Sequence, residues 1–266
     1  MLEAYDENNT LVGEALISPF MSSEIFERPR LNIFIDISVK DIEDKIEVKD
    51  LLFNEIINRG KIIGEKEKEK DISIEVKIYH CCFSYNKENI DYYSSKEGFK
   101  YDEGMHILKL EIGKEKIEAT KIQGIEFVSL ELSDEDEIRQ LVEKQNKIFA
   151  SGYSVDDLKK IQRENRYFSI AAKDKGEIVG NVMVLIREKE DNSSYGWIDD
   201  MFISKGYRKL GIGRNLMITA INNLRSLSIN ESRLEVWSSN IRAVGLYNSV
   251  GYEFYKETES AIGMFL

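Results

Sequence analysis

The chain has 266 residues, 42% of them hydrophobic, and carries 37 lysines and arginines against 48 acids for a net charge of −11. That is apolar material for one large or two ordinary domains, with two the favoured division, and the acidic balance argues against a nucleic-acid or anionic-membrane partner. No apolar run approaches the roughly 20 residues that span a bilayer, Met1–Asp6 lacks the regions of a signal peptide, and a cytoplasmic location is expected.

In chain order, the first half opens on a hairpin signal at Asp6–Gly13 and continues with a strand at Leu31–Ile37. The connection that follows, Ser38–Glu47, has no glycine and carries four acids. Glu65–Asp71, an alternation of glutamate and lysine, reads as a solvated loop or helix end. Adjacent Cys81 and Cys82 read as two buried or half-buried thiols; with only His80 and His106 as imidazoles, no disulfide framework or metal site is expected. A linker without apolar period falls at Gly113–Gly124, giving domains of residues 1–117 and 118–266.

The second half reads as one α/β unit. Ile125–Leu130 alternates as a strand, and Ser133 offers an N-cap to a helix with Asp134–Glu137 in its first turn and Ile138, Leu141, Val142, Ile148 and Phe149 on one face. A second helix, Val155–Arg166, is entered through Gly152 and turns Leu158 and Ile161 inward. Strands Tyr167–Ala172 and Ile178–Arg187 are joined by the hairpin signal Asp174-Lys175-Gly176, and Glu188–Ser194 is an exposed loop. Strand Trp197–Ile203 then leads into a glycine turn and a helix marked by Ile212, Leu216, Ala220 and Leu224. A strand at Ser232–Trp237, a short helix at Arg242–Ser249 and a terminal pair of strands within Tyr252–Leu266 complete the unit.

Parts of this order occur twice. Asp6–Gly13 parallels Asp174–Gly180, Leu31–Ile37 parallels Trp197–Ile203, and Asn86, Asn89, Tyr92, Tyr93, Gly98 and Phe99 parallel Asn240, Ala243, Leu246, Tyr247, Gly251 and Tyr252. The chain reads as a tandem duplication, with a first copy expected to begin at the hairpin and to lack the opening strand and two helices of the second.

The glycine turn, Arg208-Lys209-Leu210-Gly211-Ile212-Gly213, lies between a strand and an amphipathic helix. Amides at a helix start lack partners, the helix dipole favours negative charge there, and glycine lets backbone approach a ligand. A pyrophosphate fits those features; a bare glycine turn without ligand is the plainer alternative. Strand, RxxGxG turn, helix, strand and then Asn240-x-x-Ala243-x-x-Leu246-Tyr247-x-x-x-Gly251-Tyr252 together resemble the GCN5-related N-acetyltransferases, the GNAT superfamily, over residues 125 to 266. The resemblance implies an α/β fold with a mixed sheet, here two tandem GNAT-like domains, splayed between Trp197–Ile203 and Ser232–Trp237 to admit acetyl-CoA. It implies pantetheine against the backbone of Met201, Phe202 and Ile203, pyrophosphate on Arg208, Lys209, Leu210, Gly211, Ile212 and Gly213, and Asn240 on the cofactor arm. Arg214 either extends the basic environment or is a solvated helix residue.

By the same resemblance Tyr247 is the general acid for the departing thiolate; a phenol with an ordinary pKa near 10 holds its proton at neutral pH. Asp199 and Asp200 lie on the strand bordering the acetyl group, where some family members, polyamine acetyltransferases among them, carry an acidic pair. Strand alternation sends the two to opposite faces. Asp199 is assigned as base and Asp200 as acceptor ligand, with a loop-capping or solvated role open for either. Tyr195 and Trp197 either flank the acceptor pocket or pack in the core. The resemblance implies direct transfer in a ternary complex, and the second copy has no cysteine, which excludes a covalent cysteine intermediate there. The first copy, with acids in place of the glycine turn, is expected not to bind CoA.

The implied activity is acetyl transfer from acetyl-CoA to a primary amine of a small cationic molecule. Protein N-terminal or lysine acetylation and a non-catalytic CoA-binding regulatory module are the alternatives. Either a monomer with an internal pseudo-dimer or a homodimer is consistent with the duplication.

Overall fold

The computed structural model of the chain describes residues 1–22, 29–132, 134–149 and 152–266. Contacts divide it into two compact units, Met1–Met105 with Glu257–Leu266, and His106–Lys256. This division differs from the boundary at 117/118 expected from composition. Among the described residues no helix is long and apolar enough to cross a membrane.

The first unit contains β1 (Leu2–Tyr5), β2 (Leu11–Met21), β3 (Arg30–Val39), α1 (Lys45–Lys70), β4 (Glu75–Phe83), α2 (Lys87–Ser94) and the start of β5 (Lys100–Glu111). Its sheet runs β1-β2-β3-β4 and is extended by the C-terminal strand β11 (Glu253–Phe265), antiparallel to β4 from Glu259 opposite Phe83 to Phe265 opposite Lys77. β11 is one continuous strand where a terminal pair was expected, and its pairing carries the last residues into the first unit. Glu65–Lys70 form the last turns of α1. Leu52, Phe53, Ile56 and Ile57 of α1 bury against Ile33, Ile35, Val76 and Ile78 of β3 and β4.

The second unit contains β6 (Ile125–Leu130), α3 (Glu135–Asn146), α4 (Val155–Glu164), β7 (Arg166–Asp174), β8 (Glu177–Glu188), β9 (Ser194–Ile203), α5 (Ile212–Ser226), β10 (Glu231–Trp237) and α6 (Ile241–Asn248), in a sheet ordered β5-β10-β9-β8-β7-β6. Ser133 lies outside the described residues; Asp134 caps α3, accepting from the Asp136 amide at 2.9 Å. Period-two alternation splits the core. Ile170, Ala172, Val182, Val184 and Ile198 pack with Leu216, Ala220 and Leu224 of α5, while Ala171, Ile178, Met183 and Phe202 pack with Ile138 and Leu141 of α3 and Leu158 of α4.

The expected linker is a strap. Asn222 accepts from the Ile117 amide (3.1 Å) and donates to its carbonyl (2.9 Å), Asn215 does the same for Thr120, and Arg225 donates to the Gly113 carbonyl at 2.7 Å. Two asparagines seven residues apart on a helix are separated by roughly 10 Å, as are three residues of extended chain, so the spacings match. Asn215 is 2% exposed, and without its amide two backbone groups lose their partner. Asn215→Leu is expected to lower stability by about 1–3 kcal/mol. Urea unfolding would show it as a lower midpoint at unchanged slope.

The order β1-β2-β3-α1-β4-α2-β5 reappears as β7-β8-β9-α5-β10-α6-β11. Asn86 and Asn240 cap α2 and α6 identically, each side chain accepting an amide three residues on at 3.2 Å. The strand register needs correction. Lys40 donates to the Val12 carbonyl and Ser204 to that of Val179, both at 2.8 Å, so Val39, not Ile37, stands where Ile203 does. At this end of the strand a two-residue slip keeps each side chain on its own face, so hydrophobic alternation does not distinguish the two registers.

Candidate active site

The glycine turn closes through a single helical turn at Lys205–Tyr207. The Tyr207 hydroxyl donates to Asp174 at 2.7 Å, pinning the turn to the β7–β8 hairpin, and Arg208 Nε donates to the Ile203 carbonyl at 3.2 Å. Lys209 and Gly211 both have positive φ, 65° and 82°. A lysine held there costs of order 1 kcal/mol, and such alternation curls backbone amides into an anion-binding concavity. Gly211 is the N-cap of α5, so no side chain caps the helix, and no acid occupies its first turn. The amides of Ile212, Gly213 and Arg214 have no carbonyl one turn back. Lys209, Leu210 and Arg214 are exposed beside them and Ile212 is buried. A Cβ on Gly213 would stand 3.2 Å from Leu246 and 3.3 Å from Met201, so the glycine lets the start of α5 sit close over α6 and β9. An open helix start with cationic flanks fits a pyrophosphate.

β9 carries the decisive irregularity. It pairs with β8 as Val184–Ile198 and then Met183–Asp200, leaving Asp199 as an extra residue in a β-bulge. Parallel pairing with β10 is recorded from Gly196–Ser232 to Ile198–Leu234, ending where the bulge begins. The bulge also breaks the alternation, correcting the expected placement of the acids on opposite faces. Cross-strand partners share a face, and Met183, Leu185 and Arg187 stand opposite Asp200, Trp197 and Tyr195 on the α3–α4 side. Asp199 turns to that side too, bound by the Tyr153 hydroxyl and ion-paired with Arg187 at 3.4 Å. Beyond the bulge Met201 and Ile203 pack on the α5 side and Phe202 is buried beneath α3 and α4.

The two carboxyls differ in surroundings. Burial pushes Asp200 up to about 7, helped by the neighbouring Asp199 charge and opposed by hydrogen bonds from Gln145 and the Met201 amide. Asp199 is raised by burial. Trp197 lies under the Arg187 guanidinium at 4.3 Å and Tyr195 under that of Arg233 at 4.6 Å, so both are aromatic platforms for cations of the chain itself. Tyr247, on α6, is raised above the ordinary phenol range by burial and by the Asp200 charge. Its ring lies 6.0 Å from that of Tyr252, whose hydroxyl is taken by Ser232 at 2.6 Å; the Tyr247 hydroxyl has no hydrogen bond among the described residues.

The Acetyltransferase (GNAT) family matches residues 135–252. Those residues are a GNAT acetyltransferase domain. A probable spermine N(1)-acetyltransferase of Bacillus subtilis subsp. natto (strain BEST195) is 31% identical over 88 residues, which are 32% of this chain and 58% of that protein. The chain thus spans little more than half of that relative. A GCN5-related N-acetyltransferase from Sphaerobacter thermophilus matches 99% of this chain and 79% of its own at 12% identity and a TM-score of 0.50. A tandem GNAT protein from the clavulanic acid biosynthesis pathway matches 98% and 81% at 9% identity and the same TM-score, 0.50. At these identities the likeness is one of fold, and it extends the tandem GNAT architecture along the whole chain.

The first GNAT-like unit differs at each point that shapes the second. β3 pairs with β2 without a bulge, and α1 starts at Asp44 with Glu47 in its first turn. Tyr93, the counterpart of Tyr247, is fully buried, and its ring stacks on His80 at 4.0 Å. His80 Nδ1 lies 3.1 Å from the Ile35 carbonyl, which only accepts, so the ring donates into the backbone of β3 just past its last recorded pair with β4. Lys49 donates to Asn89 at 3.0 Å with its ammonium 4.0 Å over the Tyr92 ring. The unit fills this region with its own side chains.

Sequence reasoning missed Gln145, Tyr153, Arg187 and Arg233. Each bears on the acidic pair or its aromatic neighbours through contacts distant in sequence, and none belongs to a local motif. Asn240, expected on the cofactor arm, is placed as the α6 cap.

Proposed function

We propose that the second unit transfers an acetyl group from acetyl-CoA to the primary amine of a small cationic molecule. The observation that carries this reading is a carboxyl poised near neutrality, Asp200, electrostatically coupled to a phenol with an unengaged hydroxyl, Tyr247, where the sheet parts after Ile198. Bound acetyl-CoA supplies the thioester whose acyl group passes to the amine and whose sulfur leaves as thiol. The amides of Ile212, Gly213 and Arg214, with Lys209 and Arg208, hold the pyrophosphate, and the backbone of Met201 to Ile203 guides the pantetheine.

Asp200 takes the role of base, reversing the assignment expected from sequence. Asp199 is engaged by Arg187 and Tyr153, whereas a base works best with a pKa near the operating pH. Tyr247 donates the proton that the thiolate requires. The acidic pair, and the likeness to a curated relative named for spermine, support a cationic acceptor. The first unit binds no CoA on this reading and serves as a structural partner.

Thiol release from acetyl-CoA with a panel including spermine, spermidine and a lysine peptide tests the activity. Tyr247→Phe is expected to lower kcat about 10²-fold or more while leaving CoA affinity within a factor of about 3. An unchanged kcat would remove the phenol from the mechanism, and an inert wild type would favour a CoA-binding module.

A further inference from the structure

The acidic pair is joined to the segment between α3 and α4 by two contacts that acyl transfer does not require. Gln145, the penultimate residue of α3, is 4% exposed. Its side-chain oxygen accepts the Tyr153 amide at 2.9 Å, and its side chain also hydrogen-bonds the Asp200 carboxyl. An amide oxygen only accepts, so the group offered to Asp200 is the NH₂. Tyr153, fixed by that bond and by Asn146 donating to its carbonyl at 3.4 Å, sends its hydroxyl to Asp199. Gly152 makes the approach possible: a Cβ there would stand 3.2 Å from the Gln145 oxygen and closer still to Asn146. One glutamine therefore sees both the backbone that aims Tyr153 and the carboxyl beside Asp199.

We infer that Gln145 and Tyr153 are positioning residues for the acidic pair, Gln145 orienting Asp200 and Tyr153 orienting Asp199. This rests on the acetyltransferase reading, in which Asp200 is the base. Toward Asp200 the Gln145 side chain donates, so it favours the ionised carboxylate and holds Asp200 lower than burial alone would. The other groups facing Asp200 are the Asp199 carboxylate, the Met201 amide and Tyr247 from α6; Arg187 faces Asp199. Tyr153 and Arg187 together fix Asp199 from two sides, leaving Asp200 as the proton carrier.

The test uses the full chain and three variants. Gln145→Leu removes both bonds, Gln145→Glu keeps an acceptor for the Tyr153 amide but loses the donor, and Tyr153→Phe removes only the hydroxyl. In kcat/KM against pH, the ascending limb is expected to move up by about one unit in both Gln145 variants. Tyr153→Phe is expected to raise the acceptor KM about 10-fold with kcat within about 3-fold. Melting temperature against pH follows the same proton without turnover, and its inflection is expected to shift with Gln145→Leu. Unmoved limb and inflection in both Gln145 variants would overturn the role of Gln145, and an unchanged acceptor KM in Tyr153→Phe that of Tyr153. A wild type without turnover defeats the acetyltransferase reading alone, since the melting inflection still reports on Gln145.

Discussion

Asp200→Asn is expected to lose about 10²- to 10⁴-fold in kcat/KM and yet to melt at a higher temperature than the wild type at pH 8. Both effects come from one proton. Asp200 ionises at about 7 in the folded chain, against the ordinary carboxyl value of 3.8. Between those values the native state holds a proton that the unfolded chain has released. Stability therefore falls as pH rises through that window and levels off above it. The difference corresponds to at most about 4 kcal/mol, because each pKa unit is worth about 1.4 kcal/mol. Asparagine has no charge to bury, so its melting temperature lacks this fall. In turnover the sign is opposite, because only the ionised carboxyl accepts a proton: wild-type kcat/KM rises with pH through about 7. A variant that lost activity and stability together would show Asp200 to be a structural group.

The order of elements in the second unit was legible because each is locally encoded: β6 at Ile125–Leu130 is alternation, α4 turns Leu158 and Ile161 to one side, and the β7–β8 turn places Lys175 and Gly176 at positive φ. The bulge at Asp199 was not legible, since nothing in Ile198-Asp199-Asp200-Met201 says which residue the partner strand will skip. That one residue decides whether two acids face one another's surroundings or opposite sides of the sheet. The strap at residues 113–120 was read as a linker because its partners, Asn215, Asn222 and Arg225, lie about a hundred residues away. Its bonds go to backbone, which has no sequence signature. The repeat was visible in cap and turn residues such as Asn86 and Asn240, whose roles are fixed by backbone geometry, while the β3 register slipped by two where only alternation guided it.

Gly211→Val is expected to weaken CoA binding by about 10²-fold or more while lowering folding stability by no more than about 1–2 kcal/mol. Gly211 has φ of 82°, a region a β-branched residue avoids at a cost of roughly 1–2 kcal/mol. Among the described residues the added Cβ meets only Ile122, at 3.8 Å, so packing tolerates it. Relief of the backbone swings the amides that open α5 away from their common focus. Charge-assisted hydrogen bonds are worth about 1.5–3 kcal/mol each, so misdirecting two costs more than 10²-fold in affinity. Gly213→Val contrasts with it: its Cβ is tight against Leu246 and Met201, and the variant is expected to lose stability as well as affinity. Calorimetry separates these cases and counts sites. One equivalent of CoA per chain, abolished by Gly211→Val, is the outcome required if the acids at Asp44 and Glu47 bar the first unit. Two equivalents would give the first unit a seat of its own, and one that survives Gly211→Val would move the pyrophosphate seat away from α5.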